Sequence, residues 1–394
     1  LKRKYKQTHP WLSFGLDLGK ITFDIWLLLG EAQSKVEHIA GVPLRPKVAE
    51  ELHQLFLAKG VLATTAIEGN TLTEEQVLAH LNGKLELPKS KDYLRQEVDN
   101  IIEACEAIAS ELVYTESVDL TVERICAYNS LVLKGLEHEE DVTPGKIRDH
   151  SIGAGRYLGA PAQDCEFLLE RLCEWLNDIS KTDLGPGNKI AVGLIKAVVA
   201  HLYFVWIHPF GDGNGRTARL IEFHVLVELG LPTPACHLLS NHYNQTRNKY
   251  YLELDYTSRS GGNIYRFIRY AIQGLVDGLR DQLQLVREQQ WDIVWRNYVY
   301  ERFRDKTTDA AMRRKRVALD IVRNDDNWIK ISDIPGISIK LAGLYAGKTR
   351  KTIVRDVNTL ESMGLLKKGK KGARANLEAI AAFLPARRQY NDES

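Results

Sequence analysis

His208-Pro209-Phe210-Gly211-Asp212-Gly213-Asn214-Gly215-Arg216-Thr217-Ala218-Arg219 is the stretch from which the rest of this chain is read. These twelve residues carry one imidazole, one carboxylate, three glycines, one carboxamide and two guanidinium groups. Such a mixture suits a hydrophobic core poorly, because charged side chains are rarely buried without partners. Its flanks are the opposite. Ile190, Val192, Leu194, Ile195, Val198, Val199, Leu202 and Val205 recur at helical spacing and predict a central buried helix over 188–207. A second apolar helix is predicted over about 217–229. The stretch is therefore a polar loop between two core helices, which points to an all-α core.

The loop has the parts of a phosphate site. Gly and Asn reach φ > 0 cheaply, so Gly213-Asn214-Gly215 is expected to turn its amides inward as an anion-binding nest. The following helix adds unsatisfied N–H groups and the positive end of its dipole. Arg216 and Arg219, three apart, lie on one helix face and can clamp further oxygens. Asp212 is a hard oxygen ligand suited to Mg²⁺. His208, with an ordinary pKa near neutrality, can take a proton from an attacking hydroxyl. The parts fit nucleotidyl or phosphoryl transfer. A Walker A loop is excluded because Gly-Lys-Ser/Thr is missing, and a Rossmann fingerprint because a helix precedes the glycines.

The chain has 394 residues and a net charge of only +2, so any nucleic-acid surface has to be local. Cys105, Cys126, Cys165, Cys173 and Cys236 are odd in number and form no CxxC pair. That argues against a disulfide framework or zinc site, and for free thiols in a reducing cytoplasm. No uncharged apolar run of membrane-spanning length and no signal peptide are read.

Outward from the core, helices are expected over about 47–57, 58–67, 165–179 and 280–304, with two more between 91 and 135. Gly69-Asn70 reads as a helix stop and Thr73 to Gln76 as a capping box. Thr143-Pro144-Gly145 is a turn, 146–161 a short hairpin, and Gly185-Pro186-Gly187 a break. The character changes near Lys306, after which 310–385 reads as a small separate domain.

The twelve-residue stretch resembles the signature of the Fic family, His-x-Phe-x-(Asp/Glu)-Gly-Asn-Gly-Arg-x-x-Arg, at every position. The resemblance implies an all-α Fic-type helical core with a β-hairpin flap. It also implies a Mg²⁺-dependent enzyme that moves AMP from ATP to a Ser, Thr or Tyr hydroxyl of a protein. His208 would be the general base and Asp212 the metal ligand. Gly211, Gly213, Asn214, Gly215, Arg216 and Thr217 would border the phosphates, and Arg219 would take the γ-phosphate. Relatives that phosphorylate instead carry Lys at the position of Gly215.

Three further segments extend the resemblance. Thr64-Thr65-Ala66-Ile67-Glu68-Gly69 is similar to the family's inhibitory helix, (Ser/Thr)-x-x-x-Glu-(Gly/Asn). It implies that Glu68 pairs with Arg219, occupies the γ-phosphate site and in some members supports AMP removal. The hairpin from Arg148 to Pro161 resembles the flap that pairs with an extended protein target. Ala154, Gly155, Arg156 and Tyr157 are its expected contacts, although family flaps continue with two prolines and this chain has only Pro161. Asn248-Lys249-Tyr250-Tyr251-Leu252-Glu253-Leu254 resembles the segment bordering adenosine. Neighbouring tyrosines cannot share a helix face, so one is expected in the core and one at the nucleotide.

Beyond 309, helices over 312–322, 341–346 and 350–363 precede Leu365 to Gly372, which resembles the wing of a winged helix-turn-helix domain. Its cations outnumber its acids. DNA binding, protein contact including a homodimer, and no partner all stay open. The chain is thus expected to comprise an N-terminal helical region (1–95, inhibitory helix about 58–69), a catalytic core (96–285), a linker helix (286–308), a winged-helix domain (309–385) and a tail (386–394). The leading reading is an auto-inhibited, cytoplasmic protein adenylyltransferase that can also modify itself or remove AMP. The alternative is a DNA-binding regulator whose core senses ATP.

Overall fold

The structure is a computed structural model that describes residues 3–114, 119–181, 188–323 and 328–381. The Gly-Pro-Gly break at 185–187 and the tail at 386–394 lie outside the described residues. The chain forms two compact units that divide between Gln284 and Leu285.

The first unit opens with α1 (Tyr5–Thr8), α2 (Phe23–Ala40), α3 (Pro46–Ala66) and α4 (Glu74–Leu81). Then follow α5 (Asp92–Tyr114), α6 (Val122–Leu133), the two-residue strands β1 (Gly153–Ala154) and β2 (Tyr157–Leu158), and α7 (Ala162–Lys181). It continues through α8 (Lys189–Ile207), α9 (Asn214–Glu228), α10 (Thr233–Cys236), α11 (Leu238–Gln245), α12 (Arg247–Arg259) and the long α13 (Tyr265–Arg302).

At the centre stands α8. Nearly every residue from Ala191 to Ile207 is buried, Lys196 and His201 included. Its length and apolarity would suffice to cross a membrane, and its place explains them: α2, α7 and α9 pack around it. Lys196 extends to Glu228 of α9, which offsets the cost of burying its ammonium.

α3, α9 and α13 differ from expectation, and α7 and α14 (Asp309–Asp320) each start three residues earlier than expected. The two helices expected over 47–57 and 58–67 are one, α3. Gly60 does not break it, because the His237 ring lies where a Cβ would stand. The helix expected from about 217 starts at Asn214, and the one expected from 280 starts at Tyr265. Other local signals hold. Thr73 and Gln76 form the reciprocal capping box, and Gly69 follows α3 with φ +113°. Lys146 N–H donates to Thr143 O across the 143–146 turn. All five cysteines are free thiols.

The second unit takes in the end of α13, so the segment expected as a linker contributes Trp295, Val299 and Phe303 to that unit's core. It continues with α14 (Asp309–Asp320), α15 (Ile339–Tyr345), α16 (Arg350–Ser362) and the hairpin β3 (Leu366–Gly369) and β4 (Gly372–Ala375). Ile329 bridges Ala373, adding a third extended position to the hairpin.

Candidate active site

The polar loop is closed by its own carboxamide. Asn214 Oδ1 accepts from Phe210 N–H at 3.0 Å, and Asn214 Nδ2 donates to Phe210 O at 2.8 Å. Phe210 is buried beneath, near Phe204 of α8. Gly213, at φ +76°, caps α9, and a Cβ there would press on Asn129 Nδ2 at 2.9 Å. The nest expected from Gly213-Asn214-Gly215 is therefore corrected. Only Gly213 leaves the right-handed region, and the anion cradle is the N-terminus of α9 itself. Asn214 offers it a backbone amide, since its side chain is committed to Phe210.

His208 caps α8 in the left-handed region, φ +51°. A non-glycine residue there is strained and persists only where its surroundings enforce it. Here Arg148 does so: its Nε donates to His208 O at 2.7 Å and its Nη2 to Ala160 O at 2.6 Å. The His208 ring places Nδ1 3.3 Å from Val205 O. A carbonyl can only accept, so Nδ1 carries the proton and Nε2 is left as the acceptor. Burial pushes the imidazole down to about 4, and Arg148 adds to this against the Val205 bond, Glu68 and Asp212. The expected near-neutral value is thus corrected: the His208 imidazole is uncharged throughout the physiological range.

Two arginines rise from the first turns of α9. Arg216 reaches Asp212 at 3.2 Å and Glu97 at 3.3 Å. Arg219 is buried, and its Nη2 donates to Glu68 Oε1 at 2.6 Å and to Thr64 O at 2.9 Å. Arg216 Nε and Arg219 Nε and Nη1 are buried with no hydrogen-bond partner. Unsatisfied buried donors in the first two turns of a helix suit an anion site. Glu68 already supplies an anion: its carboxylate lies over Gly215, where a Cβ would overlap Oε1. Burial would raise its pKa, but Arg219, with Arg216 and Arg247, holds it below the usual carboxylate value.

Glu68, His208 and Gly215 share a cavity of about 750 Å³, well within the range of ligand sites. Gly155, Arg156 and Tyr157 of the hairpin line it too, as do Tyr250 and Tyr251. Tyr250 is buried and bonds His201 Nε2 at 2.9 Å, whereas Tyr251 is 45% exposed, the division of roles expected for neighbouring tyrosines. Other predicted residues lie elsewhere. Thr217 is fully buried with Oγ1 3.3 Å from Asn129 Nδ2, and Gly211 packs on Val142. Ala154 pairs with Tyr157 in the hairpin. Asp212 keeps half its side chain exposed beside the first turn of α9.

Residues 119–226 match the family model described as Fic/DOC family. The chain carries a Fic domain. The protein adenylyltransferase fic-1 of Caenorhabditis elegans is 29% identical over 210 residues, 53% of this chain and 38% of that protein. The protein adenylyltransferase Fic of Drosophila yakuba is 30% identical over 240 residues, 61% of this chain and 43% of that protein. The chain thus matches about two fifths of the length of these curated relatives. A crystal structure of a Fic family protein from Desulfovibrio desulfuricans shares the fold, with TM-score 0.54 at 22% identity over 89% of this chain and 93% of that one.

Within the Fic domain, sequence reasoning passed over two residues. Asn129 of α6 donates to Asp212 O at 2.9 Å and accepts from Gly145 N–H at 2.9 Å, tying the loop to the 143–146 turn. Arg148 was read only as the start of the hairpin. Both are polar and buried, and an isolated Asn or Arg in a sequence gives no sign of that. Outside the Fic domain, Asn248, Asp255 and Ser258 of α12 also line the cavity. Asp255 and Ser258 follow Tyr251 at helical spacing, a signal that could have found them.

Proposed function

We propose that this chain is an auto-inhibited protein adenylyltransferase that moves AMP from ATP to a hydroxyl of a protein. The observation that carries this is the Glu68 carboxylate paired with Arg219 on the N-terminus of α9, in the cavity that also holds His208. A carboxylate there occupies ground suited to a terminal phosphate. Its withdrawal would free Arg219 and the orphaned N–H groups for the triphosphate.

His208 Nε2 then takes the proton of the acceptor hydroxyl. That oxygen bonds to the α-phosphorus, the bond from this phosphorus to the bridging oxygen breaks, and pyrophosphate leaves. The amides of α9, Arg216 and Arg219 stabilise charge on the phosphates. Mg²⁺ bound with ATP would neutralise further charge, and the half-exposed Asp212 carboxylate would be its protein ligand. The acceptor is an extended segment laid along the hairpin of β1 and β2 by strand addition. The same site allows modification of the chain itself, and Glu68 could orient water for removal of AMP. Five unpaired thiols fit a reducing, cytoplasmic setting. A regulator with an idle core is disfavoured, since an ATP sensor has no use for a neutral, oriented imidazole.

The test is the position of the label. With purified Glu68→Gly protein and a lysate whose own kinases have been inactivated, ATP labelled at the α-phosphate leaves label on protein, and ATP labelled at the γ-phosphate leaves none. Adding His208→Ala lowers incorporation by about 10²-fold or more. Retention of γ-label would instead mean phosphoryl transfer, and this reading would fail.

A further inference from the structure

The second unit presents a face that the catalytic reading does not use. Helices α15 and α16 are joined by the four residues Ala346 to Thr349, with Gly347 at φ +71°, the connection of a helix-turn-helix. On α16, Ile353, Asp356, Val357 and Leu360 are buried. Opposite them, Lys351, Arg355, Asn358 and Ser362 form an exposed stripe at steps of four, three and four residues.

Asp356 would weaken that face if it lay on it. Instead it is fully buried and accepts from Arg313 Nε at 2.6 Å, Arg314 Nε at 2.8 Å and Tyr345 OH at 3.1 Å. Of the two acids of α16, Asp356 is thus paired with cations of α14, away from the stripe, while Glu361 is exposed near the end of the helix. The hairpin completes the face. Lys368 Nζ donates to Asn358 Oδ1 at 2.8 Å, which sets β3 beside the stripe. The hairpin tip is Lys370-Lys371, both exposed, and Lys348 and Arg350 are exposed at the start of α16. Glu378 is engaged with Lys367 and Arg374 rather than with the tip.

We infer that the second unit is a winged helix-turn-helix that binds duplex DNA, with α16 in the major groove and the hairpin tip on the backbone. A stripe of Lys, Arg and Asn on one helix face offers the side chains that read guanine and adenine edges. The flanking cations supply phosphate contacts. An acidic protein surface would be met by charge alone, and polyglutamate at matched charge would then compete equally.

The test uses the full chain, a fluorescently labelled duplex of about 30 base pairs and no ATP, so its outcome is independent of the transferase reading. Affinity should fall about 10³-fold between about 50 and about 200 mM salt, as for six phosphate contacts. Lys351→Glu/Arg355→Glu should weaken binding about tenfold or more and flatten the salt slope. The milder Lys351→Gln/Arg355→Gln guards against misfolding and should fall between that and wild type. Lys47→Glu, on an exposed side chain of the first unit, should bind as wild type does. Absence of binding at about 50 mM salt, unchanged binding by the charge-reversed protein, or equal competition by polyglutamate at matched charge would each overturn the inference.

Discussion

His208 owes its chemistry to two neighbours that have no reactive role. Arg148 holds its strained backbone by binding His208 O, and Val205 O fixes the protonated nitrogen. Because burial lowers the imidazole pKa to about 4, the proposed base needs no deprotonation at neutral pH. The consequence is measurable in the pH dependence of kcat/KM, which reports groups of the free enzyme. For the Glu68→Gly protein, kcat/KM should stay level from about pH 7.5 to about pH 5.5. A histidine of ordinary pKa would lose about tenfold over that range. A midpoint near 6.5 would show that the ring is not desolvated as described.

At the scale of elements, α3 delivers Glu68 and α9 receives it. The approach of α3 depends on Gly60, against which the His237 ring packs, with Phe223 of α9 stacked on that ring at 4.8 Å. Gly60→Ala should therefore cost about 1–3 kcal/mol in urea or thermal unfolding. It should also raise basal AMP incorporation, because a displaced α3 carries Glu68 away from Arg219. Gly30→Ala on α2 is the contrast: nothing lies within 4 Å of its Cβ. There the same change should be neutral or stabilise by about 0.5–1 kcal/mol. Much of this layer was legible. Apolar spacing gave α8, and Thr73 with Gln76 gave the start of α4. Gly60 was not, since a helical glycine is explained only by the side chain that meets it. Likewise Asn214 reads as a turn former, and only its two bonds to Phe210 reveal a helix that starts one residue after Gly213.

Across the whole molecule, the first unit stores several histidines in neutral form. Burial lowers His201 and His237 to about 3, and His208 and His242 to about 4. A depressed folded pKa means stability that is present above about 6.5 and is lost as pH falls toward those values. Glu222 works the other way. Burial raises it to about 8, so its contribution fades as pH climbs from about 4.5 to about 8. Several histidines outweigh one carboxyl. The Tm should be highest between about pH 6 and 7, fall steeply by about pH 4.5 and decline gently toward pH 8. A Tm that rises on acidification to about pH 5 would contradict the burial of these rings. Buried histidines cannot be told from exposed ones in the sequence, so this property belongs to the fold alone. The proposed switch, by contrast, was half visible: Glu68 and Arg219 sit in separate motifs 151 residues apart, and packing brings them together.

The most direct test of that proposed switch is the rate of AMP incorporation from α-labelled ATP by wild-type, Glu68→Gly and Glu68→Gly/Arg219→Ala proteins side by side. Glu68→Gly should exceed wild type by about tenfold or more, the worth of about 1.4 kcal/mol of competition for the anion site, and the added Arg219→Ala should abolish most of the gain. Equal incorporation by wild type and Glu68→Gly would contradict the account, because Glu68 would then not be the group that holds the site closed.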